Sequence, residues 1–141
     1  MTTLPVILVA AHVLANVVWI GSLLSVAILA GRAPFVADPS ELGSLARRVY
    51  FALAVPGFLA SFGAGVARIV LAPQVYAHLG WFHAKLGLAF VVIVLHHVIG
   101  GRARRVANGH AEAGRGLGVV ATLTLVCVAG AVLLGVAKSL H

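Results

Sequence analysis

Four long apolar runs, near residues 4–30, 47–72, 82–100 and 117–138, constrain this chain more than any motif in it. Each is long enough to cross a hydrocarbon core of about 30 Å, which takes about 20 helical residues. A chain of 141 residues that is 62% hydrophobic and 9% charged has too little polar surface to cover a water-soluble fold. The alternating short strands of a membrane β-barrel are absent. The expected fold is therefore all-α: one polytopic domain over 1–141, built as an antiparallel four-transmembrane-helix bundle. The first run is read as a span, because no basic residue precedes it and it is too long for a cleaved signal segment.

The net charge of +7 is placed unevenly. Arg32, Arg47 and Arg48 flank the first connection, and Arg102, Arg104, Arg105 and Arg115 occupy the third. The second connection, 72–81, has no basic residue, and Arg68, Lys85 and Lys138 stand only at span ends. Positive-inside bias then predicts loops one and three in the cytoplasm and both termini outside, in a bacterial-type inner (cell) membrane. Juxtamembrane arginines on this composition point to orientation and membrane-lipid headgroups, not to nucleic acid.

Polar residues inside the spans carry the functional reading, because they are costly in lipid. His12, Asn16 and Trp19 are spaced by four and three, so they share one helical stripe. His12 has two readings: a site residue, or an imidazole bonded to a neighbouring backbone carbonyl. The carboxylates Asp38, Glu41 and Glu112 all fall in loops, which excludes a carboxylate proton relay within the bilayer. Ser40 is the expected helix start in the first connection. Pro56 should interrupt the second span. Gly57, Ser61 and Gly65 make a small-residue ridge, read as internal packing with a homo-oligomer seam as the alternative. Cys127 is the sole cysteine and is read as a small buried hydrophobe.

The third span begins Gly80-Trp81-Phe82-His83-Ala84-Lys85-Leu86 and ends with His96-His97. Eleven residues return a helix to nearly the same bearing, so Lys85 and His96 share a face with Trp81, Leu88, Ala89 and Val92. His97 points about 100° away. Spans one and three run parallel in an up-down-up-down bundle. His12 should then lie about 12 Å below the outer boundary, Lys85 about 5 Å and His96 about 20 Å. His12 and Lys85 can meet near one level, with Arg68 close to it. A clamp by His12 and His96 at one depth is awkward; a cofactor or substrate standing on edge, touched by His12 and Lys85 at one end and approached by His96 lower down, fits the depths. The stretch Arg102–Gly118 is expected at the membrane surface as a loop.

These residues resemble the HemJ-type protoporphyrinogen IX oxidases, within the CopD-like superfamily of four-helix membrane proteins. The pattern is His12 with Trp19 seven on, then Arg47-Arg48-x-Tyr50 with Pro56 and Gly65. It continues with Gly80-Trp81-x-His83-x-Lys85-Leu86 and with His96-x-x-x-Gly100 before a basic run. The family's Leu-Pro-Arg stretch and its Asn-Glu-x-Pro-Thr block do not occur; Ser25–Ala30 and Ala121–Leu125 stand there. The resemblance implies a b-type haem, oxidation of protoporphyrinogen IX to protoporphyrin IX, and electrons passed to quinone. It implies His12 and Lys85 as the essential, catalytic positions. His12 and His96 are the expected metal ligands, since neutral imidazole is a good iron ligand. His12, His96, Trp19, Trp81 and Arg68 are the expected cofactor-binding set, Arg68 pairing with a propionate. The alternative is a haem- or copper-handling binding or transport protein. For copper, methionine and cysteine ligands are scarce, and His12, His78 and His83 would be the imidazole set.

Overall fold

In the computed structural model, residues 3–76 and 79–137 are described, and no strand occurs among them. The elements are α1 (Thr3–Arg32), α2 (Pro39–Val49), a π-helical turn (Tyr50–Ala54), α3 (Val55–Leu71), α4 (Pro73–Tyr76), α5 (Gly80–Ala107) and α6 (Leu117–Ala137). Four helical stretches are long and apolar enough to cross a membrane: Val6–Phe35, Pro39–Leu71, Gly80–Ala107 and Ala111–Val136. The chain is an all-α, multi-pass membrane bundle, as its hydropathy predicts. Lys138 lies outside the described residues.

The second stretch starts eight residues earlier than the apolar run suggests. Its first turns are amphipathic: Gly43 and Ala46 are buried, while Ser40, Ser44, Arg47 and Arg48 are exposed. The start is Asp38 and not Ser40. Asp38 Oδ1 accepts from the Ser40 and Glu41 amides at 3.1 and 3.3 Å, and the Ser40 hydroxyl donates to it at 2.6 Å. Pro39 fits the first helical turn, where its missing N–H is no loss. The Ser40 hydroxyl bond, above all, holds the Asp38 carboxyl below the usual carboxylate range. A depressed folded value means the cap is at full strength above that range and is lost as pH falls through the folded value. Protection of the Ser40 and Glu41 amides, taken relative to their intrinsic exchange rates at each pH, should therefore be present at neutral pH and fall on acidification. Asp38→Ala should remove it at every pH; protection that does not change with pH in the wild type would contradict the cap.

The third stretch also outruns its apolar run. Residues 102–107, expected in a surface loop, continue α5. Arginine and alanine are good helix formers. Ile99, Ala103 and Val106, at helical spacing, are fully buried, so tertiary packing extends the helix. It ends in a Schellman motif: the His110 amide bonds Arg105 O at 3.0 Å and the Gly109 amide bonds Val106 O at 3.0 Å. Gly109 adopts φ +90°, which a side chain would resist.

The core sits at the arginine-rich end. Leu23, Val26, Ala27 and Ala30 of α1 meet Ala46, Tyr50 and Ala54 of the second stretch, Ile99, Ala103 and Val106 of α5, and Leu117 of α6. Alanine and glycine let the backbones approach closely. A Cβ on Gly43 would overlap the Ala107 backbone, and one on Gly57 would lie 2.8 Å from the Trp19 amide nitrogen. The glycine ridge thus packs inward on α1, as read from its spacing. α6 is apolar all round, and its long side chains Val119, Leu123, Val126, Val132 and Leu133 are exposed, a lipid-facing surface.

Candidate functional site

Pro56 cannot donate a backbone bond, and its ring crowds the carbonyl one turn back. The helix meets this with a wider turn over Tyr50–Ala54, in which the Val55 amide reaches Tyr50 O, five residues back. Such π turns re-aim side chains and recur at functional sites. Here the turn carries Tyr50 into the bundle, with its ring over Gly100. Any side chain at 100 would collide with that ring.

Tyr50 Oη lies 3.0 Å from His96 Nε2, and Trp19 Nε1 donates to His96 Nδ1 at 3.1 Å. The His96 ring is 1% exposed and stacks on Tyr50 and Phe58, at centroid distances of 5.0 and 5.1 Å. The Trp19 ring meets its edge. An indole N–H only donates, so Nδ1 must be the bare nitrogen of a neutral imidazole. Nε2 then carries the proton and donates to the tyrosine oxygen. Both ring nitrogens are used: the Nδ1 lone pair accepts from Trp19, and Nε2 spends its proton on Tyr50. Three helices are tied together by this Trp19–His96–Tyr50 chain.

His12 stands apart from it, two helical turns nearer the other end of α1, about 10 Å along the axis. Its Nδ1 is 2.8 Å from Ser61 O, with the Ser61 hydroxyl at 3.5 Å. Since a carbonyl only accepts, Nδ1 carries the proton and Nε2 the lone pair. No hydrogen bond among the described residues engages Nε2. Gly65 leaves room for the ring: a Cβ there would come within 3.3 Å of His12 Cε1. Asn16 bonds back to His12 O at 2.9 Å. Lys85 Nζ lies 3.8 Å from where a Cβ of Gly135 would sit, which places it between α5 and α6. Arg68 Nη2 donates to Tyr76 Oη at 3.1 Å, with the guanidinium 5.9 Å from that ring's centroid.

The residues named from sequence thus divide. His12, Lys85 and Arg68 gather toward the loop-two end. Trp19 joins His96 deeper in the bundle. Trp81, half-buried, packs its ring on Phe82 at 5.8 Å. His83 is exposed, with Nδ1 3.0 Å from Leu79 O, and His78 lies outside the described residues. Among the described residues no three histidine, cysteine, aspartate or glutamate side chains converge as a metal site. Cys127 is half-buried on α6. Ser61 and Tyr50 were not singled out as site residues by sequence. Tyr50 was visible only within the arginine motif; Ser61 only as a small residue in the ridge.

Fold and polar interior define a multi-pass membrane protein with imidazoles held between its helices. No protein-family model, curated protein or solved structure matches the chain.

Proposed function

We propose that this protein is a haem b-binding membrane oxidoreductase of the HemJ type, in which His12 holds the iron through Nε2. One observation carries the reading: His12 Nδ1 is anchored on the Ser61 carbonyl at 2.8 Å, leaving the opposite nitrogen as a ligand. Ring nitrogens that bind metal are commonly oriented in this way, by a hydrogen bond from the other nitrogen to a backbone carbonyl. One imidazole suffices for a haem.

The neighbouring cations suit a porphyrin. Lys85 and Arg68, at the same end of the bundle as His12, supply positive charge for carboxylate side chains of the macrocycle or of a porphyrinogen substrate. The haem would supply one-electron redox chemistry. Protoporphyrinogen IX gives up six electrons and six protons, which three quinones take up as three quinols. Lys85 orients the substrate carboxylate, Gly65 and Ser61 fix the imidazole, and His96 holds the helices in register. The arginine-rich end faces the cytoplasm of a bacterial-type cell, following the positive-inside bias.

The test is anaerobic oxidation of protoporphyrinogen IX by the detergent-purified protein with a soluble quinone, followed as porphyrin fluorescence. Lys85→Met should weaken porphyrinogen binding by about tenfold or more, the scale of one charge-assisted hydrogen bond. Quinone-dependent turnover that never exceeds the protein-free rate would overturn the oxidase reading.

A further inference from the structure

The arginine-rich end carries a second polar feature, far from His12. Ser44, Arg47, Arg48 and Phe51 line one groove of about 390 Å³. They are spaced three, four and seven apart, so they form one stripe along α2 and the π turn. Gly43, Ala46 and Tyr50, about 120° round the helix from the stripe, are buried in the core. All four residues of the stripe are exposed, so it looks out at the membrane.

Its depth follows from length. The helical stretch Pro39–Leu71 has 33 residues, about 50 Å at 1.5 Å per residue. The hydrocarbon core takes about 20 of them. Counted back from Leu71, those 20 end at Ala52, so Phe51 stands at the hydrocarbon boundary. Arg47 and Arg48 stand about 5–6 Å beyond it, and Ser44 about 10 Å. That order, an aromatic ring, two guanidinium groups and a hydroxyl, matches acyl chain, phosphate and headgroup hydroxyls of a phospholipid. Both arginines are exposed, and among the described residues neither has an ion pair; the one salt bridge joins Arg115 to Glu112. The nearby carboxylates do not compete. Asp38 is engaged at the cap, and Glu41 lies a turn beyond Ser44, about 10 Å along the axis from Arg48.

We propose that this stripe is a binding site for the phosphodiester headgroup of an anionic glycerophospholipid in the leaflet at the arginine-rich end. The two guanidinium groups clamp the phosphate oxygens in paired N–H···O bonds, and Phe51 packs on the upper acyl chain. A zwitterionic lipid offers the same phosphate but brings its own cation into the groove.

The test is native mass spectrometry of the full chain in detergent, with phosphatidylglycerol and phosphatidylcholine of equal chain length. The wild type should hold one phosphatidylglycerol about tenfold more tightly than phosphatidylcholine. Arg47→Gln with Arg48→Gln should abolish that preference, whereas Arg104→Gln with Arg105→Gln, at the same end, should keep it. Arg47→Lys with Arg48→Lys keeps the charge and should lose part of the preference, since the fork geometry is gone. Equal loss in both glutamine pairs would show diffuse attraction and overturn the site, as would no preference in the wild type. Displacement by inorganic phosphate as readily as by phosphatidylglycerol would show an anion site without the lipid. Thermal unfolding of each variant in detergent confirms that it is folded.

Discussion

His96→Leu should destabilise the bundle by about 2–5 kcal/mol while leaving any haem bound at low temperature. The substitution deletes one imidazole and orphans two partners. Trp19 Nε1–H and Tyr50 Oη are both in the low-dielectric interior, 3.1 and 3.0 Å from that ring. An interhelical hydrogen bond in a membrane contributes about 0.6 kcal/mol on average, but an unpaired buried donor costs about 1–3 kcal/mol. The second effect dominates, so Tyr50→Phe, which leaves the Trp19 bond intact but orphans the buried His96 Nε2–H, should cost about 1–3 kcal/mol, less than His96→Leu, which leaves two partners unpaired. His96→Gln should rescue part of the loss, because its amide can accept from Trp19 and donate to Tyr50. Unfolding in mixed micelles, followed by tryptophan fluorescence, measures all three. Haem loss from His96→Leu in a fully folded protein would instead make His96 a ligand.

Gly57→Leu should separate α1 from α3 and prevent stable folding. The new Cβ would lie 2.8 Å from the Trp19 amide nitrogen and 2.9 Å from its Cα. Those are backbone atoms of a long helix and cannot swing aside, so the helices must part. Overpacking of this kind costs about 1–3 kcal/mol where a core can adjust, and more where it cannot. The displaced Trp19 would also release its bond to His96. Gly63→Leu, in the same helix, meets nothing within 4 Å and should be nearly neutral. Gly65→Ala is intermediate: its Cβ meets only the His12 ring, at 3.3 Å, which can turn. Equal stability of the Gly57 and Gly63 variants, in the same unfolding assay, would contradict the α1–α3 contact.

Hydropathy alone made the four spans legible, because lipid demands long helices with internally satisfied backbones. The 3.6-residue period placed Gly57, Ser61 and Gly65 on one ridge, and α1 packs on it. The helix start expected at Ser40 lies within two residues of the Asp38 cap. The end of α5 was misplaced: residues 102–107 look like a polar connection, yet Ala103 and Val106 are fully buried. Such burial depends on which helix lies alongside, which local periodicity does not encode. The Trp19–His96 bond spans 77 positions in sequence. The Tyr50 contact further requires the π turn, and Pro56 announced a disruption without specifying its form. His12 was legible as a polar residue that must face inward. Its carbonyl partner Ser61 was not, since any backbone can offer one. Of the two readings of His12, the bond to a backbone carbonyl is present, to Ser61 O at 2.8 Å.

Haem ligation by His12 is tested most directly by the visible spectrum of the detergent-purified protein, oxidised and dithionite-reduced, in wild type and His12→Gly. The wild type should show a Soret band with sharp reduced α and β bands. These should be lost in His12→Gly and return when free imidazole fills the space the side chain vacates. An unchanged spectrum in His12→Gly, or a wild type that stays colourless with added haemin, would contradict that ligation.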